Sequence, residues 1–288
     1  MDPYITWLQL KRFPLFEAAG TWWARYRRAL VPASPKPEPV EITNLQAQKL
    51  LHESGTLFVR YFSQRYTRPT EFWYTECSRY ENQDLSHKLK NQIRRAYKNC
   101  HVHRTDPQWL AANAYDCYRA AFERYQGGNS PQNEKDFQSN LLRDVGGPFD
   151  FWAVFVGEEL AGYSKCIVMP QHASISVFRL HPAHLQSYPA YALMDTMLIS
   201  YVRENGSTMS NGFRSIAHGT QMQSFVLKFG YHNVYCDLKV VYRPALELIV
   251  NGLYAANSIV QRTPDIRLLS AIKGLLRQEE IRRSFDFA

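Results

Sequence analysis

The chain has no CxxC pair: its five cysteines stand at 77, 100, 117, 166 and 236. That spacing gives neither a zinc cage nor a disulfide framework, so a reducing, cytoplasmic setting is expected. It also has no long apolar run. The longest uncharged stretches, such as Leu180 to Met194, carry His, Gln and Pro and fall short of the ~18 apolar residues that span a bilayer. The N-terminus, MDPYITWLQLKRF, has an acid at position 2 and lacks the apolar core of a signal peptide. Carboxylates are the minority charge, 26 against 34 Lys and Arg, for a net +8; that balance suits an anionic partner such as a nucleotide cofactor, RNA or an acidic membrane surface. Aromatics are plentiful. With 18 Tyr, 16 Phe and 6 Trp among 288 residues, 45% of them hydrophobic, the chain supplies a sizeable core and is not a disordered protein.

The sequence divides into four stretches. Residues 1–48 combine Trp7, Trp22 and Trp23 with Arg25, Arg27 and Arg28, then run into Pro32, Pro35, Pro37 and Pro39, which read as a linker. In 49–148 the clearest element is a helix from Leu85 to Cys100, where Leu85, Leu89, Ile93, Ala96 and Cys100 recur at spacings of three and four; Asp84 or Ser86 can cap it. From 149 to 243 the rhythm changes. Phe151 to Val156 and Leu160 to Met169 flank Gly157-Glu158-Glu159 as a hairpin, whose glutamates read as a solvated tip, and Ser174 to Leu180 is a third strand. A Pro-started helix follows from Pro189 to Glu204, ended by Asn205-Gly206. Next come a strand at Thr208 to Phe213, a helix at Thr220 to Phe229 closed by Gly230, and a strand pair within Tyr231 to Arg243. Residues 244–288 read as two helices, Pro244 to Val260 and Asp265 to Arg282.

This β-β-β-α-β-α-β order, with Lys228-Phe229-Gly230-Tyr231 leading into a strand, resembles the acyl-transferring core of the GNAT superfamily over residues 150–243. Upstream, Leu85-Ser86-His87-Lys88-Leu89-Lys90-Asn91-Gln92-Ile93-Arg94-Arg95-Ala96 is similar to the "Lys/Arg-x-x-Asn-Ile-Arg-Arg-Ala" helix of the Fem-type aminoacyltransferases of that superfamily. The fold class implied is α/β (α+β): a mixed, mostly antiparallel twisted sheet flanked by helices, with an N-terminal helical extension and C-terminal helices.

The resemblance also implies a site. GNAT enzymes present a loop of pattern Gln/Arg-x-x-Gly-x-Gly/Ala to the cofactor pyrophosphate, because backbone N–H groups at a helix start are unsatisfied and carry partial positive charge. The matching residues are Gln186, Ser187, Tyr188, Pro189, Ala190 and Tyr191. Pro189 takes the place of the central Gly and removes an N–H; an ordinary Pro-started helix is the bland alternative. The stretch Ser210 to Gln221, which includes Asn211, Arg214, Ser215, His218, Thr220 and Gln221, falls where GNAT sheets splay around the thioester. Its polar groups can orient an amine, with His218 as general base, or His218 and Thr220 can merely cap the next helix. His181 is the second candidate base, against a structural role. His172, His181 and His184 lie at spacings of nine and three with no Cys or carboxylate at fixed spacing, so no metal is expected.

Two basic segments remain. Lys88, Lys90, Arg94, Arg95 and Lys98 are not interrupted by an acid and form either a grip on tRNA phosphates or a solvated face. Trp22 to Arg28 can touch a membrane or an acyl chain; a helix docked on the body is the expected alternative, and membrane contact is not expected. The activity implied is transfer of an acyl group from an acyl thioester, acyl-CoA, to a primary amine by direct attack. The alternatives are a Fem-type aminoacyl-tRNA-dependent transferase and a catalytically silent GNAT-like module.

Overall fold

The computed structural model describes residues 2–123, 130–216, 221–255 and 267–285. It divides into two compact units, each drawn from separate stretches of chain: unit 1 is Met1–Trp7, Thr75–Gly212 and Gln221–His232, and unit 2 is Leu8–Tyr74, Phe213–Thr220 and Asn233–Ala288. Stretches 1–48, 49–148 and 149–243 are thus each shared between the units, while 244–288 lies within unit 2.

Helix α1 (Pro3–Leu10) and strand β6 (Phe72–Cys77) are each divided between the units, and the other elements of unit 1 come in runs of helices and runs of strands. Helix α3 (His87–Asn99) starts two residues later than its apolar spacing predicts, because the Ser86 hydroxyl caps it by accepting from Leu89 N at 3.2 Å. Strand β7 (Cys100–Thr105) follows, then helices α4 (Pro107–Asn113), α5 (Tyr115–Glu123) and α6 (Glu134–Arg143). Strands β8 (Phe149–Val156) and β9 (Glu159–Met169) form the expected hairpin, turned at Gly157 with φ +60°. Strand β10 (His172–Leu180) pairs antiparallel with β9, and β11 (Thr208–Phe213) pairs parallel with β10. The spatial order is β11-β10-β9-β8-β7. Gly162 is required in β9, since a Cβ there would meet the Arg179 carbonyl oxygen at 2.6 Å.

Helix α7 (Pro189–Leu198) covers this sheet and runs into a π-helical turn at Ile199–Glu204, inside the span predicted as one helix. Its Ala192, Leu193, Met194, Met197 and Leu198 are fully buried with Ala96, Val154, Cys166 and Met209; each large side chain so buried contributes roughly 1.5–3 kcal/mol. Helix α8 (Gln221–Val226) ends in a short 3-10 turn closed by Gly230 at φ +86°.

In unit 2 the sheet order is β1 (Leu15–Ala18), β2 (Thr21–Tyr26), β3 (Ala29–Pro32), β4 (Phe58–Tyr61) and β13 (Lys239–Tyr242), with β3 and β4 parallel and the rest antiparallel. Helix α2 (Asn44–Ser54), opened by a Thr43/Gln46 capping box, buries Ala47, Leu50 and Leu51 with Trp23, Leu30 and Val59. Two sequence expectations change here. The Trp22–Arg28 segment is not a helix: Trp22 and Trp23 alternate on β2, so Trp23 is fully buried while the basic tip is exposed. The proline stretch is not a free linker either, being tied by Ala33 N to Trp22 O, Val40 N to Phe62 O and Arg65 to Pro37 O.

The strand pair expected within 231–243 is two strands with different partners. β12 (His232–Cys236) pairs with β5 (Arg65–Tyr66), and β13 pairs with β4. Between them the buried Asp237 carboxylate accepts from Ser63 N at 2.7 Å, Ser63 Oγ at 2.6 Å and Gln64 N at 3.0 Å, which holds the chain to the 63–64 turn instead of folding it back on itself. Helix α9 (Pro244–Ala255) follows, and α10 (Arg267–Arg283) is the last element.

Candidate functional site

In unit 1 the pairing of β10 with β11 is short. It covers His172↔Thr208, Ala173↔Met209 and Ser174↔Ser210; beyond it β10 continues to Leu180 paired only with β9, after a bulge between Ile175 and Val177. The two parallel strands therefore part at Ser174 and Ser210. A parted pair leaves backbone N–H groups along one edge of β10, donors that can polarise a carbonyl laid into the opening.

His172 closes the base of the opening. It is buried at 1% exposure, with Nδ1 2.8 Å from Thr208 Oγ1 and Nε2 3.1 Å from Ser210 Oγ. It ties β11 to β10 at the last paired rows, a structural use of a histidine that spacing alone did not separate from the other two.

His181, at the far end of β10, starts the turn Pro182–Ser187, and its Nδ1 accepts from Ala183 N at 3.2 Å. Its ring lies 5.2 Å from that of His184, whose Nε2 is 3.4 Å from Glu159. The turn leads to Gln186, Ser187 and Tyr188, then into α7. Ser187 O accepts from the Cys100 thiol. Tyr188 carries the left-handed conformation, φ +64° and ψ +37°, which a side chain other than Gly adopts at a cost of about 1–2 kcal/mol. That strain sits one residue before the proline, at the place where the glycine-rich pattern leads the sequence reading to look.

Side chains of α3 and α7 lie around Tyr188. The Arg95 guanidinium lies 6.0 Å from the Tyr188 ring centroid, Tyr188 meets Tyr191 edge-on at 5.6 Å, and Gln92 hydrogen-bonds Tyr191. Below, Asp195 of α7 joins the two helices: Tyr97 Oη donates to its Oδ2 at 2.7 Å and lies 3.0 Å from Thr196 Oγ1, and Tyr80 Oη donates to its Oδ1. Burial first, and then the Asp195 charge, raise the Tyr80 hydroxyl well above its ordinary range, which keeps it a donor. No sequence signal marks Tyr80, Tyr97 and Asp195 as one group, because Asp195 is 98 and 115 residues from the two tyrosines.

The start of α7 does not reproduce a glycine-type pyrophosphate cradle. Pro189 has no N–H, the Tyr191 N–H is committed to Tyr188 O at 3.0 Å, and Pro189 and Tyr191 stand at the two small-residue positions of the pattern. The cationic groups at hand are on α3. Lys88, Arg94, Arg95 and Lys98 are exposed and Lys90 is half-buried. Among the described residues none of the five is ion-paired; Arg94 bonds Asn91 Oδ1 at 2.8 Å and Lys90 bonds Gln83 O at 3.2 Å.

The remaining sequence candidates divide. Asn211 lies on β11, next to Gly212 at φ +63°. Gln221 opens α8. In unit 2, Arg214 pairs with Glu71 at 3.2 Å, Arg277 reaches the same carboxylate at 2.7 Å, and Ser215 lines a small recess beside them. His218 and Thr220 lie outside the described residues. Burial pushes the Cys77 thiol up to about 11 and those of Cys117, Cys166 and Cys236 to about 12, so these sulfurs are not thiolate nucleophiles. Among the described residues, no group of three or more His, Cys, Asp or Glu is placed to hold a metal ion, and no helix is long and apolar enough to cross a membrane.

A mixed sheet whose parallel pair opens within the strands is a GNAT-like fold. Within it the chain has the Fem-type arrangement. The chain superposes on the C-terminal domain (DUF2156) of a protein of lysylphosphatidylglycerol-synthetase type from Agrobacterium fabrum, with TM-score 0.54 and 10% identity, over 86% of this chain and 90% of that one. It is similar to FemX at TM-score 0.53 and 9% identity, over 86% and 93% of the two chains. A protein of unknown function from Bacteroides thetaiotaomicron matches at TM-score 0.50 and 11% identity, over 82% and 88%. No family model and no curated protein matches the sequence.

Proposed function

We propose that the protein transfers an acyl or aminoacyl group from an activated carboxyl donor to a primary amine, with the reaction at the parting of β10 and β11. The observation that carries this reading is the end of their pairing at Ser174 and Ser210. The amine nitrogen attacks the donor carbonyl carbon, backbone N–H groups of β10 hold the developing oxyanion, the bond to the leaving sulfur or oxygen breaks, and a base takes the amine proton. The raised cysteine pKa values favour direct attack over a covalent thioester on the enzyme. His218 is the proposed base, with His181 next, and Asn211 and Gln221 are the proposed acceptor contacts.

For the donor, acyl-CoA is the expectation from the core motifs. A second donor, aminoacyl-tRNA, is favoured by the unpaired cations of α3 beside the start of α7, where the glycine cradle is missing. Single-turnover assays with acyl-CoA and with aminoacyl-tRNA, each with a primary-amine acceptor, decide between them; consumption of neither would leave the silent binding module. If tRNA is the donor, R94A/R95A should weaken its binding and lower the salt slope by about 2, since each lost phosphate contact removes about one counterion. Equal filter-binding curves would return α3 to a solvated face.

A further inference from the structure

Helix α9 is unusual for its exposed side chains. Leu248 is 76% and Ile249 57% exposed, and Pro244, Ala245, Gly252 and Ala255 are exposed beside them. Val250 is its one residue in the buried core, and Glu247 its one charge. The β2–β3 turn of the same unit is the opposite in composition. Arg25, Tyr26, Arg27 and Arg28 are consecutive and exposed, Tyr26 at 56%. Arg25 lies over Phe16 and Arg27 over Tyr26, at 5.8 and 5.9 Å, and among the described residues none of the three arginines is ion-paired.

These two features, more than 200 residues apart in the chain, meet at one end of the five-stranded sheet. The register runs Tyr26↔Ala29, Ala29↔Phe58, Phe58↔Tyr242 across β2, β3, β4 and β13. One row further out, Leu57 N donates to Arg28 O at 2.8 Å and Arg243 N donates to Leu57 O at 3.1 Å. Arg28 and Arg243, the residue before α9, are therefore two strand spacings apart, about 10 Å. An unpaired basic turn with an exposed aromatic ring, next to a helix with bare aliphatic side chains, has the chemistry of an interfacial anchor: cations for anionic headgroups and a ring and aliphatic chains for the acyl boundary.

We infer that this end of unit 2 docks on an anionic bilayer surface, with Leu248 and Ile249 of α9 entering the headgroup boundary and Arg25, Arg27 and Arg28 facing the lipid phosphates. The inference departs from the expectation of no membrane contact; the segment 22–28 itself is a hairpin arm and turn, not a docked helix. An RNA would use the arginines and Tyr26 but leaves the aliphatic face of α9 unexplained.

The test is co-sedimentation of the full chain with vesicles of phosphatidylcholine alone and with about one-third phosphatidylglycerol. It reads nothing of turnover, so it fails or succeeds independently of the transferase reading. The expected result is binding to the anionic vesicles only, weakened by salt and lowered about tenfold or more in both L248Q/I249Q and R27Q/R28Q, with melting temperatures unchanged because all four side chains are exposed. The emission of L248W should shift to the blue on adding anionic vesicles. Absence of binding by the unmodified chain, equal binding to phosphatidylcholine alone, or L248Q/I249Q binding as tightly as the unmodified chain would each overturn the inference. So would retention of a short RNA but not of vesicles.

Discussion

Ser174 and Ser210 are the last residues that β10 and β11 pair, and His172, two residues back on β10, bonds Ser210 across that row. The opening of the sheet thus begins inside both strands, between a buried side-chain tie on one side and the bulge at Ile175/Val177 on the other.

That tie is measurable. Replacing His172 with Leu leaves the buried Ser210 hydroxyl without the ring that ties it to the half-buried Thr208, and stability should fall by about 1–3 kcal/mol. Chemical denaturation of the two forms checks it; a variant as stable as the original would mean that solvent or another group takes over both bonds.

His181 caps the turn before α7 through Nδ1, which separates a structural from a chemical role. H181N can keep the cap and H181A cannot, so Ala should cost about 1 kcal/mol and Asn much less. If His181 only positions the turn, H181N retains turnover; loss of turnover in both, with H181N folded as stably as wild type, would make the ring itself the reacting group.

The crowding at the start of α7 predicts a gain of binding. Y188G/P189G removes the left-handed strain at Tyr188, opens space and restores an N–H, so coenzyme A should bind more tightly than to the unmodified chain. Unchanged affinity by calorimetry would place the donor's phosphates somewhere other than the α7 start.

Acid stability should report on Glu279 in unit 2. Its carboxylate is 1% exposed and accepts from Arg282, Arg283 and Tyr242. Burial raises its pKa, but the two guanidinium groups outweigh that and hold it below the ordinary value. A lowered pKa in the folded state means that the unfolded chain takes up its proton first. The stabilisation is therefore present above the ordinary glutamate pKa and is lost as the pH falls through the folded one. E279Q should be less stable near neutrality and show a flatter decline toward pH about 4. Parallel declines in urea midpoint for the two proteins would remove Glu279 from the acid response.

Local elements were legible in the sequence because they answer to local physics. Ser86 capping α3, the Gly157 turn, the β11 span at Thr208–Phe213 and the Gly230 stop all rest on side chains or backbone within a few residues of one another. The fold class was legible too, because the order of those elements and the phrases around Arg94 and Gly230 narrow the possible sheets.

Only the tertiary structure decided the rest. Trp22 and Trp23 read as part of a docked helix until a sheet claims one of them for its core, and the residues 231–243 split between β5 and β4 because Asp237 is held by the 63–64 turn. The α7 turn in the span 199–204, the join of Tyr80 and Tyr97 on Asp195, and the placing of Arg28 beside the start of α9 are contacts between residues far apart in the chain. Propensity and spacing act over one or two turns of chain, whereas these arrangements are fixed by which buried polar groups must find partners after the chain has collapsed.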